Sequence, residues 1–232
     1  MEIFYSDTRT VLINQNKVYK FFNSKAECES EVKRISMSPI SEFHDKISYY
    51  KMKFVKILEK NEYFYSMDQA QGNSLNFNSN KKDFYLAGRW LRCFHDLSFN
   101  YKNNNAFLFG DFITSHLFID HKNKAISTID PGSDFGSIGK IETDIARFLV
   151  NLFYVKSLNF IKLNKIIDIF LEGYGKEKID YINLKNFIKI RIFRNYNKTI
   201  KLRPGLKYYL IAFIYLIIAN LKFFFIKKSL KN

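Results

Sequence analysis

The second half of the chain reads as a series of helices that β-rich sequence interrupts once. The interruption covers residues 108–132 and contains two short segments, LFGDFITSHLFID and KAISTIDPG, with polar breaks between them. The first half has the opposite character, since residues 10–22 form two β-rich runs around Asn14-Gln15-Asn16, which suits a hairpin turn. We therefore predict an α+β fold in which a small β-rich part with one helix precedes a helical part.

Helical periodicity locates most of the remaining elements. Apolar residues recur at helical spacing in residues 81–97 and in three stretches that follow residue 142. Another helix is predicted at residues 24–36, where Ser24 and Glu27 form a capping-box pattern. Residues 62–69 are a candidate strand, whereas residues 40–60 fit no single pattern. The strand-breaking sequence QGNSL follows, so we place the boundary between the two parts near residue 70.

Composition and charge restrict the class of protein. Hydrophobic residues make up 47% of the 232 residues and aromatic residues 18%, which is enough for a packed core. Cys28 and Cys93 are too few for a zinc site or a disulfide framework, so we expect reduced thiols in a cytoplasmic protein. The net charge of +15 favours an anionic partner. No nucleic-acid-binding motif is recognised, and we expect no nucleic acid among the partners.

Five ionisable residues follow one another in an order with chemical meaning. Lys20 lies in the second strand of the predicted hairpin, and Glu31 lies in the next helix. Asp111 and His116 occur in the first β-rich segment of the interruption, and Asp130 ends the second. Phosphoryl transfer requires a carboxylate near the acceptor hydroxyl, another carboxylate on a metal ion and a fixed cation on the phosphates. The five residues supply these groups in the order that kinase-like folds use.

Three further segments fit the same pattern: YSMDQAQGNSL, GRWLRCFHDL and DIARFL. Together with the order of the ionisable residues, they resemble the aminoglycoside phosphotransferase and choline kinase family over roughly residues 10–150. The resemblance implies a protein-kinase-like two-lobe fold. Its reduced β-rich N-lobe would cover residues 1–70, and its mainly helical C-lobe would cover residues 71–232.

The resemblance also implies an ATP-dependent kinase that phosphorylates an alcohol group. Asp111 would be the catalytic base, which orients or deprotonates the acceptor hydroxyl. The residues implied to bind cofactors are Lys20, Glu31 and the hinge residue Asp68 for ATP, and His116 and Asp130 for Mg²⁺. Because Mg²⁺ prefers oxygen ligands and imidazole suits Mn²⁺ better, Mn²⁺ is an alternative metal at His116.

The sequence departs from the family in three places. The family usually has His before the Gly-Asp pair, where this chain has Phe109. The glycine-rich phosphate loop is absent, and Ser6, Thr8 and Arg9 stand there as candidate phosphate contacts. His116 replaces the metal-binding Asn of the family, so it is either a metal ligand or a residue that hydrogen-bonds Asp130 or a phosphate.

Other polar residues in these segments have structural interpretations. Asp130 precedes Pro131 and Gly132, so a turn-forming role is the alternative to metal binding. We predict that Asp144 caps its helix or braces the preceding loop, and that His95 is a buried, hydrogen-bonded histidine. Asp120 is predicted to form the turn between the two β-rich segments.

The last predicted helix, residues 208–226, is apolar nearly all round. The basic residues that flank it are Lys198, Lys201, Arg203, Lys207, Lys227, Lys228 and Lys231. The helix either packs in the core of the C-lobe or touches an anionic membrane surface, where flanking cations attract the headgroups. In the second case the protein lies peripherally on the inner face of the cytoplasmic membrane.

Three hypotheses for function stay open. The first is a kinase for a sugar hydroxyl in lipopolysaccharide, capsule or another surface glycan, indicated by the basic charge and the apolar C-terminal run. The second is a kinase for a soluble small molecule, although the net charge of +15 argues against a polycationic aminoglycoside. The third is a pseudokinase that binds a partner without phosphoryl transfer, indicated by His116 and the missing glycine loop.

Overall fold

The computed structural model describes residues 1–6, 9–37, 42–54, 56–100, 102–103, 105–154, 159–226 and 230. Its strands are β1 (Glu2–Tyr5), β2 (Arg9–Asn14), β3 (Lys17–Phe22), β4 (Glu42–His44), β5 (Lys51–Phe54), β6 (Ile57–Lys60), β7 (Phe64–Asp68), β8 (Asn73–Ser74), β9 (Asn105–Phe107), β10 (Leu117–Asp120), β11 (Ala125–Thr128) and β12 (Ile138–Lys140). Its helices are α1 (Lys25–Ser36), α2 (Lys81–Asp96), α3 (Glu142–Phe153), α4 (Phe160–Tyr174), α5 (Tyr181–Leu202) and α6 (Leu206–Ile226). The predicted α+β class, with strands first and helices after, is confirmed.

The first sheet contains five strands in the order β1-β2-β3-β7-β6. Gln15 and Asn16 form the two-residue turn between β2 and β3 with φ values of 47° and 66°, as hairpin turns of this length require. Helix α1 follows β3 and buries Cys28, Val32 and Ile35. The predicted capping box at its start is wrong, because the Ser24 side chain makes no capping hydrogen bond.

The second sheet joins distant parts of the chain in the order β4-β5-β11-β10-β8. Strand β5 pairs in parallel with β11, so residues 51–54 lie beside residues 125–128. Such pairing cannot be predicted from local sequence, which explains why residues 40–60 fitted no pattern. The domain boundary near residue 70 stays a prediction.

Helices α2 and α4 pack closely because each carries a glycine at the contact. A Cβ atom on Gly88 would lie 2.1 Å from the Phe170 carbonyl oxygen, and one on Gly173 would lie 2.1 Å from that of Tyr85. Aromatic side chains fill the core between these helices, α3 and the residues on either side of Asp111. They are Trp90, Phe94, Phe109, Phe112, Phe148 and Phe170. Cys93 of α2 is also buried, and neither cysteine forms a disulfide. The expected free thiols are confirmed.

Helix α6 packs through one face only. Ala212, Ala219, Phe223 and Ile226 are buried, and the buried Lys222 donates a hydrogen bond of 2.8 Å from Nζ to the Phe153 carbonyl oxygen. The opposite face exposes large apolar side chains: Leu206, Tyr209, Leu210, Phe213, Ile214, Ile217, Leu221, Phe224 and Phe225. Among the described helices, α6 alone has the length and apolar composition of a membrane span. Only 28% of its most apolar window is buried against the rest of the protein.

Candidate active site

Three of the predicted site residues lie in contact between the first sheet and the loop after β11. They are Lys20, Glu31 and Asp130. Lys20 is buried on β3, and its Nζ lies 3.1 Å from Oε1 of Glu31 on α1. The same Nζ contacts Oδ1 of Asp130. The lysine therefore joins a carboxylate of the N-terminal part to one of the second sheet, in the arrangement that the sequence predicted for Lys20 and Glu31.

Two further side chains complete the surroundings of Glu31. The Tyr65 hydroxyl donates a 2.6 Å hydrogen bond to Oε1, and Arg9 Nη1 donates one of 3.0 Å to Oε2. Arg9 Nη2 also lies 3.8 Å from Asp130 Oδ2. Arg9, a candidate phosphate contact, thus belongs to the ionic network, and its contact with phosphate stays a prediction. Thr8, the neighbouring candidate, lies outside the described residues.

Asp130 is held as a carboxylate in a restricted conformation. Its φ of 51° is left-handed, which is uncommon for a residue other than glycine. Burial by itself raises the pKa of Asp130, but the charge and hydrogen bond of Lys20, followed by the charge of Arg9, hold it below its usual range. An ionised carboxylate beside fixed cations suits the binding of a metal and phosphates.

Asp144 fixes the backbone of the loop that carries Asp111. Its carboxylate accepts hydrogen bonds of 2.6 Å from the Phe109 amide and 2.9 Å from the Gly110 amide. His95 lies 3.2 Å from the same carboxylate through Nε2 and 2.8 Å from the Tyr174 hydroxyl through Nδ1. The predicted brace and the predicted buried histidine are both confirmed.

The loop after Asp130 lies against the loop of Asp111. The Gly132 amide donates to the Phe109 carbonyl at 3.1 Å, and a Cβ atom on Gly132 would lie 2.7 Å from the Asp111 amide nitrogen. Asp120, by contrast, accepts a hydrogen bond of 3.1 Å from the Asn123 amide and forms the β10–β11 turn, as predicted. The close backbone contact places the carboxylates of Asp111 and Asp130, the candidate catalytic pair, on neighbouring loops.

Asp111 and His116 have partners that the sequence did not indicate. Arg147 Nη2 on α3 lies 2.7 Å from Asp111 Oδ1, and Nη1 of the same side chain donates to the Gly110 carbonyl. His116 Nδ1 lies 3.0 Å from the Asp111 carbonyl oxygen, so this nitrogen is the donor and Nε2 carries the lone pair in the neutral ring. The alternative bond from His116 to Asp130 is not formed, although the two are close enough for the imidazole to affect the pKa of Asp130.

The described residues contain no group of three or more His, Cys, Asp or Glu side chains able to hold a metal ion. Asp130 and His116 are thus two candidate ligands, and phosphate oxygens and water would supply the others, as is usual for Mg²⁺ at nucleotides. The oxygen of Asp130 fits either metal, whereas the Nε2 lone pair of His116 fits Mn²⁺ better.

Asp68 lies apart from the other predicted residues. It ends β7, where it is exposed, and it borders a cleft of about 550 Å³ with Asn16, Lys53 and Gln71. No described contact joins it to Lys20, Glu31 or Asp130. Its predicted role in nucleotide binding stays a prediction.

Sequence reasoning missed Tyr65, Arg147 and Arg191. For Arg147 a signal was available, because it lies one helical turn after Asp144 in the segment DIARFL and faces the same loop. Tyr65 and Arg191 reach the site only through tertiary packing.

Comparisons with known proteins agree with this geometry. No protein-family model and no curated protein sequence matches the chain. Its structure is similar to an amicoumacin kinase in complex with AMP-PNP, Ca²⁺ and Ami, with a TM-score of 0.61, 10% identity, and coverage of 94% of this chain and 87% of that one. It is also similar to a GDP and kanamycin complex of APH(2")-IIIa, with a TM-score of 0.62, 12% identity, and coverage of 94% of this chain and 91% of that one. An ethanolamine kinase of Plasmodium vivax matches with a TM-score of 0.61, 11% identity, and coverage of 95% of this chain and 83% of that one.

The chain has the protein-kinase-like fold. The predicted resemblance to aminoglycoside phosphotransferases and choline kinase-like enzymes is confirmed at the level of the fold, at sequence identities of 10% to 12%. The two-lobe prediction, with a β-rich N-lobe and a helical C-lobe, is confirmed with it.

Proposed function

We propose that the protein is an ATP-dependent phosphotransferase whose acceptor is a hydroxyl group. One observation carries this proposal: Lys20 contacts both Glu31 and Asp130, while the loop of Asp130 lies against the loop of Asp111. This arrangement provides a fixed cation for phosphates, an ionised carboxylate for a metal and a second carboxylate for the acceptor. The similar structures include complexes with AMP-PNP and GDP, which supports a nucleotide as the donor.

The reaction follows from these positions. The acceptor oxygen forms a bond to the γ-phosphorus as the bond between this phosphorus and the ADP oxygen breaks, and the hydroxyl proton passes to Asp111. Lys20 and Arg9 neutralise phosphate charge, and Glu31 holds both cations. Mg²⁺ or Mn²⁺ bound at Asp130, with His116 nearby, would neutralise charge on the phosphates.

A thermal-shift titration of the wild type and Asp130→Asn with ATP tests the nucleotide site. Ligand that binds only the folded state raises the melting temperature. We expect a rise that requires Mg²⁺ or Mn²⁺ in the wild type and is lost in Asp130→Asn. No rise with either metal would overturn the kinase proposal and favour the pseudokinase.

For the acceptor, we propose a sugar hydroxyl of a lipopolysaccharide, capsule or other surface glycan at the cytoplasmic face of the membrane. Helix α6 supports this proposal. Its exposed residues Leu206, Leu210, Phe213, Ile217, Leu221 and Phe224 are spaced three or four apart and form one stripe along the helix. Because the opposite face packs on the protein, the helix in this fold would lie in the interface rather than cross the bilayer.

Charge near α6 supports the same orientation. Lys198, Lys201 and Arg203 end α5 or follow it, and Lys207 is in the first turn of α6. Cations beside an exposed apolar stripe attract anionic headgroups while the stripe enters the acyl region. Lys227, Lys228 and Lys231, the other predicted flanking cations, lie outside the described residues.

Vesicle co-sedimentation tests membrane binding. We expect the wild type to bind phosphatidylcholine vesicles that contain phosphatidylglycerol and to bind pure phosphatidylcholine more weakly. The double substitution Phe213→Ser with Ile217→Ser should abolish binding, whereas Ile161→Ser with Ile182→Ser, at still more exposed sites on α4 and α5, should not. Absence of binding by the wild type would favour the alternative, a soluble small-molecule kinase like the ethanolamine kinase it resembles.

A further inference from the structure

One arginine side chain contacts Asp111, and two further arginines lie on the neighbouring helix α5. Arg147 contacts the Asp111 carboxylate and the Gly110 carbonyl, yet its buried Nε has no hydrogen-bond partner in the described part of the chain. Arg191 and Arg194 follow on α5, which packs against α3. The charges of Arg147, Asp111 and Asp134 act on Arg191, so it lies within electrostatic range of the Asp111 loop and of the loop after Asp130.

Arg191 is half-buried, and no described residue compensates its charge through a hydrogen bond or ion pair. It shares a face of α5 with the buried Leu184 and Ile188, at helical spacings of seven and three residues. Within the described ranges no hydrogen bond or ion pair joins its guanidinium to another side chain. Burial, followed by the charge of Arg147, lowers the pKa of Arg191 to about 10, so its environment disfavours the cation.

Partial burial of an unpaired cation costs free energy unless an anion contacts it. The Arg147 guanidinium contacts the Asp111 carboxylate, and Arg191 lies within electrostatic range of Arg147, Arg194, Asp111 and Asp134. Positive charge is therefore in excess on the side where the acceptor must approach Asp111. A cationic amine acceptor would be repelled there.

We propose that Arg147 and Arg191 bind an anionic group of the acceptor, a phosphate or a carboxylate, next to the hydroxyl that faces Asp111. This inference rests on the proposed phosphotransferase function and names the charge class of its substrate. Guanidinium groups bind both kinds of anion through paired N–H donors, and no hydrogen bond to another described residue occupies the donors of Arg191. Arg194 is exposed and would add charge at the rim.

Calorimetric titration with inorganic phosphate tests the site, with sodium acetate as the carboxylate arm. The protein is first saturated with AMP-PNP and Mg²⁺, so that the γ-phosphate position is filled, and chloride keeps the ionic strength constant. We expect phosphate or acetate to bind the wild-type complex. Loss of a charge-assisted hydrogen bond should weaken the binding about tenfold or more in Arg191→Gln.

Two variants separate this role from a general charge effect. Lys189→Gln removes a cation from the exposed side of the same helix and should bind the anion as the wild type does. Arg191→Lys keeps the charge without the planar fork, so its affinity should fall between those of the wild type and Arg191→Gln. It also serves as the folded variant if Arg191→Gln does not fold.

The outcomes distinguish the two proposals. If AMP-PNP does not bind, the phosphotransferase proposal fails and this inference fails with it. If AMP-PNP binds but neither anion does, or if Arg191→Gln and Lys189→Gln weaken anion binding equally, the arginine site is wrong and the kinase proposal stands. Binding that Arg191→Gln alone weakens supports the site, and the better-bound anion identifies the acceptor group.

Discussion

The nucleotide side and the acceptor side of the site differ in how their charges are satisfied. On the nucleotide side, Lys20 has two carboxylate partners, and Glu31 accepts hydrogen bonds from Lys20, Arg9 and Tyr65. On the acceptor side, Arg191 has no bonded partner in the described part of the protein. The first side forms a complete network by itself, whereas the second becomes complete only with a ligand.

The difference separates two kinds of function for charged residues. Charges that satisfy one another inside the protein contribute to the stability of the free chain, and removing one leaves the others buried and unpaired. Charges without partners are kept at some cost to stability and act when substrate arrives. Substitutions on the two sides should therefore affect different measurements.

The largest effect is expected for Asp111→Asn. Without the base, transfer of phosphate from ATP to the acceptor should fall by about 10² to 10⁴-fold, the usual contribution of general-base catalysis. The measurement is transfer of ³²P from γ-labelled ATP to a glycolipid extract. The Mg²⁺-dependent thermal shift with ATP should persist, and a variant that retains full transfer would remove Asp111 from the chemistry.

On the nucleotide side, Glu31→Gln should destabilise the protein without any ligand. It removes a buried carboxylate with three partners, so we expect the free energy of unfolding to fall by about 3 kcal/mol. Urea denaturation measures this change. Glu29→Gln, at an exposed site on the same helix, is the control and should stay within about 0.5 kcal/mol. Equal effects would contradict the idea of a stabilising network.

Acid should remove the stability that the ionised Asp130 contributes to the folded protein. The pKa of Asp130 is lower in the folded chain than its unfolded value of about 3.9, so the stability it contributes is complete above that value and is lost as the pH falls toward the folded pKa. The wild type should therefore be more stable than Asp130→Asn at neutral pH. Urea denaturation should show the difference shrinking as the pH falls below about 4. A difference that grows in acid would refute the assignment.

This effect should be smaller than that of Glu31→Gln, because the Asp130 side chain is 22% exposed and that of Glu31 only 8%. Solvent screens the more exposed carboxylate better.

The smallest effect on stability should come from Arg191→Gln. Because the guanidinium is half-buried and unpaired, its removal should leave the free energy of unfolding within about 0.5 kcal/mol or raise it slightly. Urea denaturation of the free protein provides the test. A loss as large as that of Glu31→Gln would mean that Arg191 is a structural residue, and the contrast between the two sides would disappear.

The sequence predicted correctly the structural elements that depend on neighbouring residues alone. The hairpin at Gln15 and Asn16 depends on residues that tolerate positive φ, and helix α2 depends on apolar spacing, so both were found. The capping box was assigned to Ser24, but it forms at Asn80 and Asp83 at the start of α2. A cap depends on side-chain orientation, which a residue pattern does not determine.

The site was predictable only in part for the same reason. The order of Lys20, Glu31, Asp111 and Asp130 carried the resemblance. The structure brings Lys20, Glu31 and Asp130 into contact and places the loop of Asp130 against the loop of Asp111. Arg147 and Arg191 lie on helices far along the chain from Asp111, and their position depends on how α3 and α5 pack. No spacing in the sequence encodes that packing, so the charge of the acceptor side became visible only in three dimensions.

The two buried cysteines offer a built-in chemical reporter for each half of the molecule. Burial raises the pKa of the Cys28 thiol and raises that of Cys93 to about 12, so neither forms a reactive thiolate while its helix is in place. Alkylation at either position must wait for local opening. The rate of labelling at Cys28 therefore records the opening of α1, and the rate at Cys93 records that of α2, within a single sample and without any engineered probe.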